Sequence, residues 1–83
     1  MNITNNQSTT IQDVKSLIAN NIGKNISVTE SNKQGKVINA FTGELVGTYD
    51  YFFVLKMKIK ECYIKKSFSY VYFLTNELSI EIL

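Results

Sequence analysis

The chain contains no histidine and no arginine, and of its 83 residues one is cysteine. Without histidine it lacks the commonest general base and the commonest metal ligand, so neither a Ser-His nor a Cys-His nucleophile arrangement is available. A lone cysteine, Cys62, has no partner for an internal disulfide and none for a thiolate metal site. It reads as a small buried or half-buried hydrophobe. Without arginine the chain has no bidentate donor for phosphate or guanine, and nine lysines against seven acids leave a net charge of +2, too mild to argue for nucleic acid on its own. No apolar run reaches the roughly 18 residues of a membrane span, because Lys56, Lys58 and Lys60 interrupt the best candidate. The N-terminus, rich in Asn, Ser and Thr, lacks the basic and apolar regions of a signal peptide. A cytoplasmic protein with no membrane partner is expected.

What is present is apolar periodicity, in a chain that is 45% hydrophobic and 19% charged. That balance belongs to a folded chain, and the length to one domain with a small core. Residues 1–9 (MNITNNQST) are polar and aperiodic and read as a flexible arm; residues 10–83 form the domain. Ile11, Val14, Leu17 and Ile18 recur at helical spacing, with Ile22 continuing the stripe. Thr10 and Asp13 suit the helix start, and Gly23 suits its left-handed end. Ile26 and Val28 then alternate with Ser27 and Thr29 as a first strand, followed by a turn at Glu30 to Gly35. The run Lys36 to Tyr49 is too long for a flat strand and contains Gly43 and Gly47, which predicts a strand bent near Gly43.

The longest apolar-rich run, Thr48 to Lys60, is the central strand. Phe53, Leu55, Met57 and Ile59 point to the core, and Val54, Lys56, Lys58 and Lys60 point outward. A tight reversal at Lys60 and Glu61 leads into a hairpin partner at Cys62 to Ser67. A short helical turn is expected at Leu74 to Asn76, and a last strand carries Leu78, Ile80 and Ile82. One N-terminal helix and about five strands, the second bent, give a mainly β fold of the small SH3-like or Sm-like barrel plan, with the helix over an open end. An open meander with the helix across one face is the competing arrangement.

Two surface features invite a functional reading. Lys56, Lys58 and Lys60 share a strand face beside Lys65 and Lys66, a basic patch for phosphate that Tyr63 or Tyr70 would complement by stacking. The plainer reading is a solvated face whose lysines discourage edge pairing. The aromatic load is too large for so small a core, so residues on the wrong side of the alternation, Phe52 above all, should form a surface for a protein partner or a homo-oligomer together with Tyr63 and Tyr70. The carboxylates are explained by the helix start (Asp13), a turn (Asp50) and an outer strand face (Glu77, Glu81). No catalytic group, cofactor site or metal site is expected.

Several strings in order, Ile11-Gln12-Asp13-Val14-Lys15, Asn21-Ile22-Gly23-Lys24, Gly43-Glu44-Leu45-Val46-Gly47-Thr48-Tyr49, Phe53-Val54, Ser67-Phe68-Ser69-Tyr70 and Leu74-Thr75, resemble the Veg family of biofilm formation stimulators over Thr10 to Leu83. The chain departs from the family pattern at the arginine-rich turn, here Ser31 to Lys36, at Gly47, where the family has Glu, and after Leu83, where the polar tail is missing. The resemblance implies a non-enzymatic cytosolic regulator that promotes matrix-gene expression by opposing a DNA-binding repressor, built on an Sm-like barrel. A nucleic-acid-binding Sm-like protein is the alternative.

Overall fold

The structure, a computed structural model, describes Asn2–Ile3 and residues 11–83. Eight elements follow in order: β1 (Asn2–Ile3), α1 (Ile11–Ala19), β2 (Asn25–Ser31), β3 (Val37–Thr48), β4 (Phe52–Ile59), β5 (Cys62–Ser69), α2 (Val71–Leu74) and β6 (Leu78–Ile82). The strands form one antiparallel sheet in the order β1-β6-β2-β3-β4-β5. The fold is therefore mainly β with an N-terminal helix, as the periodicities predict. The sheet bends without closing: β5 ends the order on one side and β1 on the other. Most of residues 1–9, expected to be a flexible arm, lie outside the described residues, as does Thr10; Asn2 and Ile3 pair with Glu81 and Ile80.

Helix α1 places Val14 and Ile18 in the core, each contributing about 1.5–3 kcal/mol of burial. It packs on α2 and β3. Leu17 and Ile22, which the helical stripe also assigned to the core, are exposed. The helix is too short to turn a whole apolar face inward, and the chain leaves it after Ala19 through the turns at Asn21 and Lys24. Asn21 is buried and donates its side-chain amide to the Leu17 carbonyl at 2.7 Å. Gly23 takes φ +93°, open to glycine at little cost, and its N–H reaches the Leu45 carbonyl at 2.8 Å while Leu45 N–H returns to Lys24 O at 3.0 Å. That reciprocal pair ties the helix exit to β3.

Strand β2 runs to Ser31, further than its apolar alternation indicates, and Asn32 organises the following turn by accepting the N–H groups of Gln34 and Lys36 at 3.0 and 2.9 Å. Strand β3 pairs with β2 through Val37–Glu44 but with β4 only from Glu44 onward, with a register shift between Leu45 and Gly47. Gly43 marks the changeover, so the predicted bend lies where the glycine is. Beyond it the two arms of the sheet separate, leaving Val37, Ile38, Ile59 and Ile64 exposed away from the helix-covered end. This corrects Ile59, expected inside: among the described residues no strand pairs with β4 on its β3 side at that level.

Phe53 is the centre of the core. It is fully buried, stacks on Phe68 at 5.3 Å between ring centroids, and meets Tyr70 at 5.8 Å and Phe73 at 6.2 Å. Four aromatic rings from β4, β5 and the segment around α2 thus fill one end of the bent sheet, with Leu45, Leu55, Ile26, Val28 and Ile80 on the strands around them.

Candidate functional site

Two surfaces carry the side chains singled out on the sequence. The first is the loop between β3 and β4. Tyr49 N–H donates to Phe52 O at 2.8 Å, which folds the loop back on itself and stacks the Tyr49 and Phe52 rings at 4.9 Å. Tyr51 stands at the tip, 78% exposed, while Phe52 is 40% exposed. The loop is anchored twice. Lys15 of α1 reaches Asp50 at 3.3 Å, a surface ion pair of little energy, and Tyr51 O accepts the Tyr70 N–H at 3.0 Å. A shallow depression of about 470 Å³ opens between Lys15, Tyr49, Tyr51 and Phe52. Rigid aromatic rings held in the open lose little entropy on contact, which suits them to a protein interface.

Tyr49 and Tyr51 belong to the aromatic load that exceeds the core, although the candidate surface names Phe52, Tyr63 and Tyr70 and not these two. The turn expected at Asp50 is the signal that makes its two tyrosine neighbours loop residues. Tyr70, by contrast, was grouped with the surface aromatics and is 1% exposed. It follows β5 directly and turns into the ring cluster on Phe53. Its hydroxyl is buried, and among the described residues the Tyr49 backbone and Thr48 side chain lie near it at a geometry too poor for a full hydrogen bond. Burial pushes the phenol pKa up, opposed in smaller measure by the nearby Tyr49 backbone and Thr48 side chain. Because the raised pKa belongs to the folded state, ionisation of this group leaves stability unchanged well below pH 10 and lowers it as pH rises from the unfolded phenol value of about 10 toward the folded one. Tyr70→Phe removes an unsatisfied buried donor, so chemical denaturation at pH 7 should show stability unchanged or raised by about 1 kcal/mol, with the advantage growing above pH 10. A loss of stability at pH 7 would mean that the hydroxyl is satisfied.

The second surface is the outer face of the β4–β5 hairpin. Strand register places Lys56 opposite Lys65 and Lys58 opposite Tyr63. Tyr63 is 61% exposed, with Lys56 Nζ 4.7 Å and Lys58 Nζ 6.0 Å from its ring centroid. The expected patch of five lysines divides. Lys66 is opposite Leu55, on the core side, with Nζ 5.1 Å from the Phe41 ring and 5.6 Å from the Phe68 ring. Consecutive residues on a strand face opposite ways, so Lys65 and Lys66 do not act together. Lys60 is in the reversal, at φ 57°. Cys62, expected buried or half-buried, is exposed at the start of β5.

Among the described residues no group of His, Cys, Asp and Glu is placed to hold a metal ion, and no helix is long and apolar enough to cross a membrane. Fold and surfaces together define a small β domain with one bent, open sheet that presents an aromatic loop and a lysine face. The family model for biofilm formation stimulator VEG matches residues 9–81. The chain belongs to that family, which gives it a biofilm-related regulatory role. No curated protein matches it.

Proposed function

We propose that this protein is a non-enzymatic regulator that promotes expression of biofilm matrix genes by binding a protein partner, with the effect of opposing a DNA-binding repressor. Family membership supports the regulatory part. The observation that carries the contact is the β3–β4 loop, where Tyr51 and the stacked Tyr49–Phe52 pair are held in the open by an ion pair and a backbone hydrogen bond. A homo-oligomer fits the same reading, since β5 has a free edge along Cys62–Ser69. Lys65 and Lys66 near the middle of that edge oppose antiparallel β5–β5 pairing, so a second copy meets it with a different strand.

The test is expression of the chain in a biofilm-forming bacterium stripped of its own family member, with a matrix-gene reporter read with and without the matrix repressor gene. The reporter should rise only when the repressor is present. The folded double variant Tyr51→Ser, Phe52→Ser should give less than a tenth of that rise. A full rise with the double variant removes the loop from the mechanism, and no rise with either chain removes the regulatory reading.

A further inference from the structure

The net charge of +2 conceals a strong asymmetry. The β4–β5 hairpin, residues 52–69, holds five of the nine lysines and one of the seven acids, so it carries +4 and the remainder of the chain −2. On its outer face Lys56 and Lys65 are directly opposite one another, an arrangement of like charges that destabilises a strand pair. Among the described residues no ion pair forms with these lysines. Glu44 is opposite Lys56 on β3, yet the ion pair among the described residues is Lys15–Asp50, and none involves Lys56, Lys58 or Lys65. Tyr63 instead gathers two of the ammonium groups over its ring, and a depression of about 340 Å³ lies between Glu44, Lys56, Lys58 and Tyr63. The face thus gathers three lysines with one acid, Glu44, beside them, a net cationic surface that a polyanion would neutralise.

We propose that this face binds the phosphodiester backbone of a single-stranded nucleic acid. Lys56, Lys58 and Lys65 contact phosphates, and Tyr63 holds two of the lysines in position. A single strand fits better than a duplex because Tyr63, 61% exposed among the lysines, offers an aromatic ring to an unpaired base, whereas a duplex keeps its bases stacked on one another. Lysine without arginine gives point-charge contacts, so the binding is insensitive to sequence. The depression on this face and the one at the aromatic loop are lined by different residues, so the two contacts are tested by different substitutions.

Fluorescence anisotropy of the full chain with labelled oligo-U and oligo-dT tests this. Three phosphate contacts on a single strand give a slope of log affinity against log salt near −2, so affinity should fall about 100-fold between 20 and 200 mM salt. The variant Lys56→Gln, Lys58→Gln, Lys65→Gln should bind at least 10-fold more weakly at 20 mM salt with a thermal midpoint no lower than the parent, since it removes a repulsion. Lys33→Gln with Lys36→Gln, in the β2–β3 turn, should bind as the parent does, and so should Tyr51→Ser with Phe52→Ser. No binding at 20 mM salt overturns the proposal. So does binding that the triple variant leaves unchanged, or equal binding to poly-glutamate, which would make the natural ligand an acidic protein.

Discussion

Phe53→Ala should lower the stability of the domain by about 3–5 kcal/mol, the range for deleting a fully buried phenylalanine. A chain of 83 residues has a net stability of roughly 4–12 kcal/mol, so this one substitution removes a large share of the total. The cost lies at the upper end here because the ring is shared. Phe68, Tyr70 and Phe73 all lean on it from β5 and the segment around α2, and none of those backbones can move inward to fill the space, since Phe68 is fixed by strand register opposite Phe53 and Tyr70 N–H is bonded to Tyr51 O. The Tyr70 ring loses a neighbour, but its backbone N–H stays on Tyr51 O, so the aromatic loop keeps that anchor. Urea denaturation followed by circular dichroism measures the loss of stability. Partner binding by the variant, in conditions where it is still folded, should be retained. A loss below 2 kcal/mol would mean that the neighbouring rings collapse onto the vacancy.

The core was legible in the sequence where alternation is strict. Phe53, Leu55 and Met57 face inward as a period of two requires, and Ile26, Val28, Leu78 and Ile80 do the same. Alternation fails at the ends of elements, because it reports which face a residue is on and not whether anything covers that face. Ile59 keeps the inward phase and is exposed, as β3 has already diverged; Leu17 keeps the helical phase and is exposed, as α1 meets β3 and α2 along a narrow line. The surfaces were legible to the same extent. Lys56, Lys58 and Lys65 follow from period two across one hairpin. Lys66 was misplaced only because two adjacent lysines were assigned to one face, and Tyr70 because the strand pattern does not reveal that β5 turns straight into α2. The electrical asymmetry was in the sequence throughout, but hidden by totalling charge over the chain before the hairpin was known to stand as a unit.

Gly43→Ala should be nearly as damaging as the loss of Phe53, although it adds a single methyl group. A Cβ at this position collides with the carbonyl oxygen of Lys56 and comes within 3.0 Å of its carbonyl carbon and 3.1 Å of Met57 Cγ. The methionine side chain can yield, since it is flexible. The Lys56 carbonyl cannot, because it is part of the β4 backbone, locked between β3, where Lys56 is opposite Glu44, and β5, where it is opposite Lys65. The alanine is therefore accommodated only by moving β3 away from β4 at the point where the sheet bends, which costs the pairing of Glu44 and Leu45 as well as the clash. Overpacking of a fixed core costs about 1–3 kcal/mol, occasionally more, and with backbone on one side of the clash the upper part of that range applies. Positive φ is not the reason, in contrast to Gly23 and Gly35, whose Cβ positions are empty of neighbours. That contrast supplies the control: Gly35→Asn, in the β2–β3 turn, tolerates the left-handed backbone and should cost less than 1 kcal/mol. Thermal unfolding of the two variants beside the parent distinguishes them, and hydrogen exchange should show faster opening of β3–β4 in Gly43→Ala alone. Equal midpoints would show that the bend at Gly43 absorbs a methyl group, and that β3 curves there for want of β4 contacts and not through close approach.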